Sequence, residues 1–261
     1  MRYLLAILMV LGIAGMAYAA PVGLTSEADL TEGELLAENE MGVTIGFIYD
    51  AIEERAVSID TGEFGMQAFL ARIGLSLMDR FNLYVDIGQA SDMEYIFVDK
   101  GEKHTVSFDD ELIWGVGANA LIYRWDNGLE VGAGASYRQA DMTLESVDID
   151  GAISQRTDLT AVSDGEFKEY QAAIEVAWKN DVLTPYAGIK FSDVEVDAKF
   201  TEGGQERDAA GKNADENVGV FVGLAITPTL EALDKGKSIA LNIEGRFIDE
   251  EAVSVGISYK F

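Results

Sequence analysis

One imidazole is available for acid–base chemistry in this chain, that of His104 in Lys103-His104-Thr105-Val106-Ser107-Phe108-Asp109-Asp110. A histidine acting as general base needs a nucleophile or water held within hydrogen-bond reach and a second group to orient the ring. A lone histidine in an acidic loop is most often only solvated, so His104 is expected to be a solvated loop residue beside carboxylates. Asp148-Ile149-Asp150-Gly151 has the start of a calcium loop. The bidentate acid at the twelfth position is missing, because that residue is Leu159,. Carboxylates clustered in loops still attract hard cations weakly, and weak divalent binding at acidic loops is the one metal expectation. With no cysteine, thiolate metal sites and Cys nucleophiles are excluded,. The paired glycines fall inside apolar alternations, where they relieve crowding, and form no phosphate loop. Neither an enzymatic centre nor a cofactor is expected.

The remaining charges with a pattern are ten that recur on one face of alternating runs: the acids Asp86, Glu130, Glu175 and Glu244, and the bases Arg72, Arg138, Lys179, Lys190, Arg246 and Lys260. Opposite signs at period two, on a face otherwise made of Gly and Ser, suit a confined interior where they pair. The elements that hold them are strands. Ten alternating runs lie near 41–49, 65–77, 81–90, 112–123, 129–140, 169–179, 184–192, 217–226, 238–248 and 252–261. Each is close to the ~9–11 residues with which a tilted strand crosses a bilayer. Connections alternate between tight turns, such as Trp125-Asp126-Asn127-Gly128, and long acidic links near 91–111, 141–168 and 193–216,. The links on the long side carry a formal charge of −22 in all, so the strands and short turns carry almost none. Aromatic residues gather at both ends of the runs: Phe81, Trp125, Trp178, Tyr186, Tyr259 and Phe261 at the short-turn side, and Tyr49, Trp114, Tyr137, Tyr170, Phe191 and Phe247 at the other. Two such girdles fit anchoring at two membrane interfaces.

Composition agrees. Residues 1–19 form a secretory signal peptide, an apolar run from Leu4 to Ala17 followed by the small-residue site Ala17-Tyr18-Ala19,. No later apolar run approaches the ~20 residues of a spanning helix, so a membrane form has to be a barrel. Residues 20–40 carry six carboxylates and no base, and are expected to be an acidic periplasmic lead-in. The barrel proper is expected over 41–261. A net charge of −27 argues against nucleic acid as a partner,.

The final strand, Ala252 to Phe261, stops on an aromatic with nothing after it. Together with the alternating runs, the two girdles and the loop asymmetry, it resembles the closing strand of small Gram-negative outer-membrane β-barrels, the OmpA-like, opacity-type and porin-like set. The resemblance implies an all-β fold, a transmembrane antiparallel up-and-down barrel of about ten strands in the outer membrane, with outer-membrane lipids and the assembly machinery as partners. It also implies that Tyr259 and Phe261 form the assembly signal. The enzymes built on such barrels, proteases and lipid A acyl-hydrolases, use a rim histidine with acidic or Ser partners, and His104 matches none of their motifs. The expected role is structural or surface-interacting, with a largely closed, salt-bridged lumen; the alternative is a narrow porin passing small solutes or ions.

Overall fold

The computed structural model describes residues 41–57, 62–77, 80–99, 101–149, 151–155, 161–180, 182–202, 205–212, 217–228 and 238–261. The segments expected to be a signal peptide, 1–19, and an acidic lead-in, 20–40, lie outside them. Among the described residues there are fourteen strands: β1 (Met41–Val57), β2 (Gly62–Leu77), β3 (Phe81–Asp99), β4 (Glu102–Phe108), β5 (Glu111–Arg124), β6 (Leu129–Met142), β7 (Leu144–Ile149), β8 (Ala152–Gln155), β9 (Ala161–Trp178), β10 (Leu183–Glu202), β11 (Gln205–Lys212), β12 (Val218–Ile226), β13 (Ser238–Phe247) and β14 (Glu250–Lys260). Ten of them close a barrel. Antiparallel pairing runs β1-β2-β3-β5-β6-β9-β10-β12-β13-β14, and β14 returns to β1 through pairs such as Phe47 with Ile257. These ten are the ten alternating runs of the sequence.

Alternation decides the faces. Phe47, Phe69, Val85, Trp114, Ile174, Ile189 and Ile257 are exposed on the outside, while their neighbours one residue away are buried or half-buried inside. A wall that presents large apolar side chains outward and polar ones inward is the inverse of a water-soluble barrel and fits lipid. No helix among the described residues is long and apolar enough to cross a membrane. The girdles form ring contacts: Trp114 packs edge-on against Tyr137 at 5.6 Å, Tyr137 meets Tyr170 at 4.8 Å and Tyr49 meets Phe69 at 4.7 Å at the outer end. Tyr123 with Trp125 and Tyr259 with Phe261 do the same at the inner end. Tyr186 does not belong to a girdle. It shares parity with Thr184 and Lys190, so its ring turns into the barrel and is buried there.

The strands are longer than a bilayer requires, and this corrects the expected loop map. β3 has 19 residues and β10 has 20, about 65 Å of chain at ~3.3 Å per residue. The excess continues the wall outward. Much of the long links is strand: β4 pairs with the end of β3, β7 with β4, β8 with β7, and β11 with the end of β10. Likewise the link after Tyr49 is mostly wall, since β1 and β2 remain paired to Val57 and Gly62. Asp148 and Gly151 stand at the end of the β7–β8 hairpin: Gly151, at φ +91°, donates its amide to Asp148 Oδ1 at 2.7 Å. That turn geometry accounts for the Asp and Gly spacing that looked like a calcium loop.

Candidate functional site

Inside the barrel the side chains form three layers, set by what lies at successive inward positions of each strand. The layer nearest the short turns is polar, with Thr44, Ser76, Asn82, Asn119, Thr184 and Lys260 buried. Here large side chains lie in seats left by glycine on the next strand. A Cβ on Gly117 would lie 2.2 Å from the Tyr84 ring, and one on Gly223 2.1 Å from the Tyr186 ring. Arg72 stacks over the Tyr84 ring at 3.7 Å and grips Asp86, its register partner, through two hydrogen bonds of 2.7 and 2.8 Å. Glu130 is buried and held by Arg124 at 2.5 Å. Tyr186 donates between Asn242 and Glu244 at 2.9 and 3.0 Å.

Above this lies an ion-pair network. Asp50 from β1 accepts from Arg138 of β6 at 2.6 Å and from Arg246 of β13 at 3.2 Å, bridging strands that are not neighbours. Glu169 of β9 is shared by Arg138 and Arg55, with Gln171 donating to it at 2.7 Å. Arg55 also reaches Glu250 at 3.0 Å and Ser192 at 2.8 Å. Lys190 pairs with Asp249 at 2.9 Å and with Glu250. Four cations thus meet five carboxylates, Asp50, Glu169, Glu244, Asp249 and Glu250, all buried. Charges removed from water this far are tolerable only when each has partners, and shared carboxylates supply them.

The outermost layer is apolar. Moving outward from Arg138 the next inward residues are Ala140 and Met142, from Glu169 it is Phe167, from Ser192 they are Val194 and Val196, and from Asp50 it is Ile52; all belong to one buried cluster. Phe64 of β2 and Phe167 of β9, with three strands between them round the wall, stack at 5.2 Å. Val106 and Phe108 of β4 and Leu144 and Val147 of β7 complete the layer. This layer has the character of a soluble core.

Of the ten charges expected in the lumen, Asp86, Glu130, Arg138, Glu175, Lys190, Glu244, Arg246 and Lys260 are buried and Arg72 is half-buried against Asp86. The structure joins Arg138, Lys190, Glu244 and Arg246 in the network and keeps Arg72 with Asp86 and Glu130 with Arg124 in separate pairs. Lys179 follows the last residue of β9 and is half-buried in the turn, where its amide donates to Gly128. Sequence reading missed Asp50, Arg55, Asp249 and Glu250, assigned to outer links, and Glu169, which has the parity of Glu175 and could have been found from it. His104 is not solvated. Alternation with Val106 and Phe108 puts it on the apolar face of β4, fully buried, stacked on Phe97 at 4.9 Å, with neither ring nitrogen hydrogen-bonded. Among the described residues no three metal-ligating side chains converge.

The turn joining β13 to β14 carries a strained residue. Ile248 has φ +86°, a region that a β-branched residue enters only when its surroundings force it, at a cost of about 1–3 kcal/mol,. Its side chain points out, while Asp249 and Glu250 turn in to the network. Asp249 Oδ1 lies 1.8 Å from where a Cβ of Gly219 would be, so the inward turn requires glycine there.

A closed barrel of ten antiparallel strands with an outward apolar belt and buried inward charges defines an outer-membrane β-barrel, and the outer membrane is where this chain resides. No protein family model matches the sequence. The chain is 23% identical to the major outer membrane porin, serovar L1, of Chlamydia trachomatis across 73% of this chain and 69% of the porin, and 22% identical to the serovar D porin over the same shares. Among solved structures it resembles the translocator domain of the autotransporter NalP from Neisseria meningitidis (TM-score 0.47, 9% identity, 85% of this chain and 88% of that one). It also resembles the outer membrane protease OmpT from Escherichia coli (0.44, 8%, 84% and 92%).

Proposed function

We propose that this barrel serves the outer membrane as a closed, non-catalytic wall element whose outward strand extensions present a surface for interaction. One observation carries the reading: the ion-pair network and the apolar stopper above it are stacked across the same lumen, so a solute would have to displace both. Ten strands enclose more than the eight whose interior side chains fill, and far less than the 16–18 of open porins. Filling of that space by paired long side chains is what a structural barrel requires. The acidic outer extensions are suited to partners or divalent cations rather than to polyanions.

A second reading, a narrow porin, is supported by the likeness to the chlamydial porins. In that reading the network is a gate, and any open state passes small ions with cation preference at low salt that fades as salt rises, since the outer acids are screened within about 8–10 Å. Single-channel recording of the refolded protein separates the two. Little or no steady conductance is expected from the native chain. Replacing Arg55, Arg138 and Arg246 together by small neutral residues should raise it. A large, stable native conductance would overturn the closed reading in favour of the porin.

A further inference from the structure

We propose that His104 makes the outer flap of the wall, formed by the end of β3 with β4, β7 and β8, an acid-released cover over the outer end of the lumen. The proposal rests on the closed-lumen reading and names what would open its outermost layer.

A row of interruptions marks the flap off from the wall. β2 and β3 change register between Gly65 and Gln67, and there Asp92 has φ +47°. Beside it in the row come Asp109 and Asp110, which separate β4 from β5, and then Thr143, which separates β7 from β6 and accepts from the Asp109 amide at 2.8 Å. Breaks of this kind are where a sheet bends. Beyond the row the flap parts from β9: pairing of β6 with β9 ends at Met142 with Gly165, and β7 pairs instead with β4 and β8. β8 in turn pairs with β7 alone among the described residues. On that side the flap is held over the lumen by its apolar inner face, Met93, Tyr95, Val106, Phe108, Leu144 and Val147.

His104 belongs to this face. It is fully buried between its register partners, Phe97 of β3 and Ile149 of β7. The imidazole stacks on Phe97 with 9° between the planes, and neither ring nitrogen has a hydrogen-bond partner. A neutral ring is tolerable there. An imidazolium would bring a full charge and two unpaired donors into an apolar layer, and stacking on Phe97 offsets that only in part.

The groups that face the ring do not supply a partner. On β3 the residues of inward parity are Tyr95 and, at the strand end, Asp99, and on β4 Glu102 is exposed to solvent. β7 presents Val147 and Ile149, with Ser154 and Ala152 of β8 as their register partners. β2 brings Phe64, and β10 brings Val194 and Val196. From β1 and β9 the inward charges at this end are Arg55 and Glu169, which are engaged with each other. Opening the flap returns the ring to water, where a proton meets no such penalty. Opening therefore takes up a proton and is favoured as pH falls.

The test uses the full chain refolded in detergent. Amide hydrogen exchange of peptides covering 93–108 and 144–149 is compared at about pH 7.5 and pH 5.5, on either side of the ordinary imidazole range. Rates are corrected for the intrinsic pH dependence of exchange, and 238–247 of β13 serves as internal reference. Flap protection should fall about tenfold or more at the lower pH, as uptake of one proton allows, while β13 keeps its protection. His104→Phe retains a stacked ring that cannot be charged, and should hold flap protection constant across the range. Because the chain has one histidine, its ring resonance can be followed alone in the native protein, and its protonation should coincide with loss of flap protection. Three results would each overturn the proposal: equal native flap protection at both pH values, an equal fall in His104→Phe, or a flap still protected after the ring has taken up its proton. The native measurements decide the matter even if His104→Phe does not fold. Failure of the closed-lumen reading would show separately, as large native conductance at neutral pH.

Discussion

Arg138 and Glu169 stand directly opposite one another in the β6–β9 register, and the same carboxylate is claimed from across the lumen by Arg55 of β1. A pair that would otherwise be a local cross-strand contact is thereby made to tie opposite sides of the barrel. Glu169→Gln should cost about 3–5 kcal/mol, because it leaves two buried guanidinium groups short of a negative partner. Asp86→Asn should cost less, since Arg72 and Asp86 are adjacent and partly solvated. Urea unfolding of the two variants in the same detergent checks the order; equal losses would mean that the network is no more than a set of local pairs.

The barrel was legible in the sequence because period-two alternation reports a wall with two unlike faces, and lipid on one face makes the contrast strong. The same alternation located Arg138, Lys190, Glu244 and Arg246. What it did not reveal was where the wall ends. Bilayer length truncates a strand at about ten residues, and beyond that height both faces of β1 and β10 meet water or a core, so Asp50, Arg55 and the apolar stopper read as acidic loop. Asp249 was hidden for a different reason: only the positive φ of Ile248 turns it inward, and spacing carries no record of that.

The glycine seats make a packing prediction. Gly117 on β5 leaves the space in which Tyr84 of β3 lies, and Arg72 stacks over the same ring. Gly117→Val should destabilise by about 1–3 kcal/mol through overpacking. In Gly117→Val with Tyr84→Ala the added methyls should fill the vacated space, and the two changes should be clearly non-additive. Additive losses in a double-mutant cycle of thermal midpoints would place the ring elsewhere.

Phe261 is expected to matter more to assembly than to the finished fold. In the barrel its amide donates to Val43 at 3.1 Å and its ring meets Tyr259 edge-on, contacts at the edge of the wall worth roughly 1 kcal/mol for the hydrogen bond. Deleting Phe261 should lower outer-membrane yield in cells severalfold while leaving the refolded protein's unfolding midpoint nearly unchanged. Yield equal to that of the full chain would remove the residue from any role as an assembly signal.

The outer rim should show a pH dependence set by Glu54. On β1 the exposed apolar belt ends near Tyr49, and Glu54 lies beyond it, paired in register with Glu251 of β14 across a bulge. Burial raises its carboxyl above the ordinary value, and the charges of Glu63, Glu251 and Glu53 raise it further. A carboxyl whose folded value is raised binds its proton more tightly when folded than when unfolded. Its contribution to stability is therefore fully present below the ordinary carboxylate value and is lost as pH rises through the folded value. Glu54→Gln removes that loss. Since like charges directly opposite on paired strands cost about 0.2–1 kcal/mol, the variant should be more stable than the native chain by an amount in that range at pH 7, and the difference should vanish toward pH 4. Salt at neutral pH should narrow the gap by screening the rim. Unfolding midpoints measured for both proteins between pH 4 and pH 8 decide the matter: a difference that stays constant with pH would assign the effect to packing instead of repulsion between carboxylates.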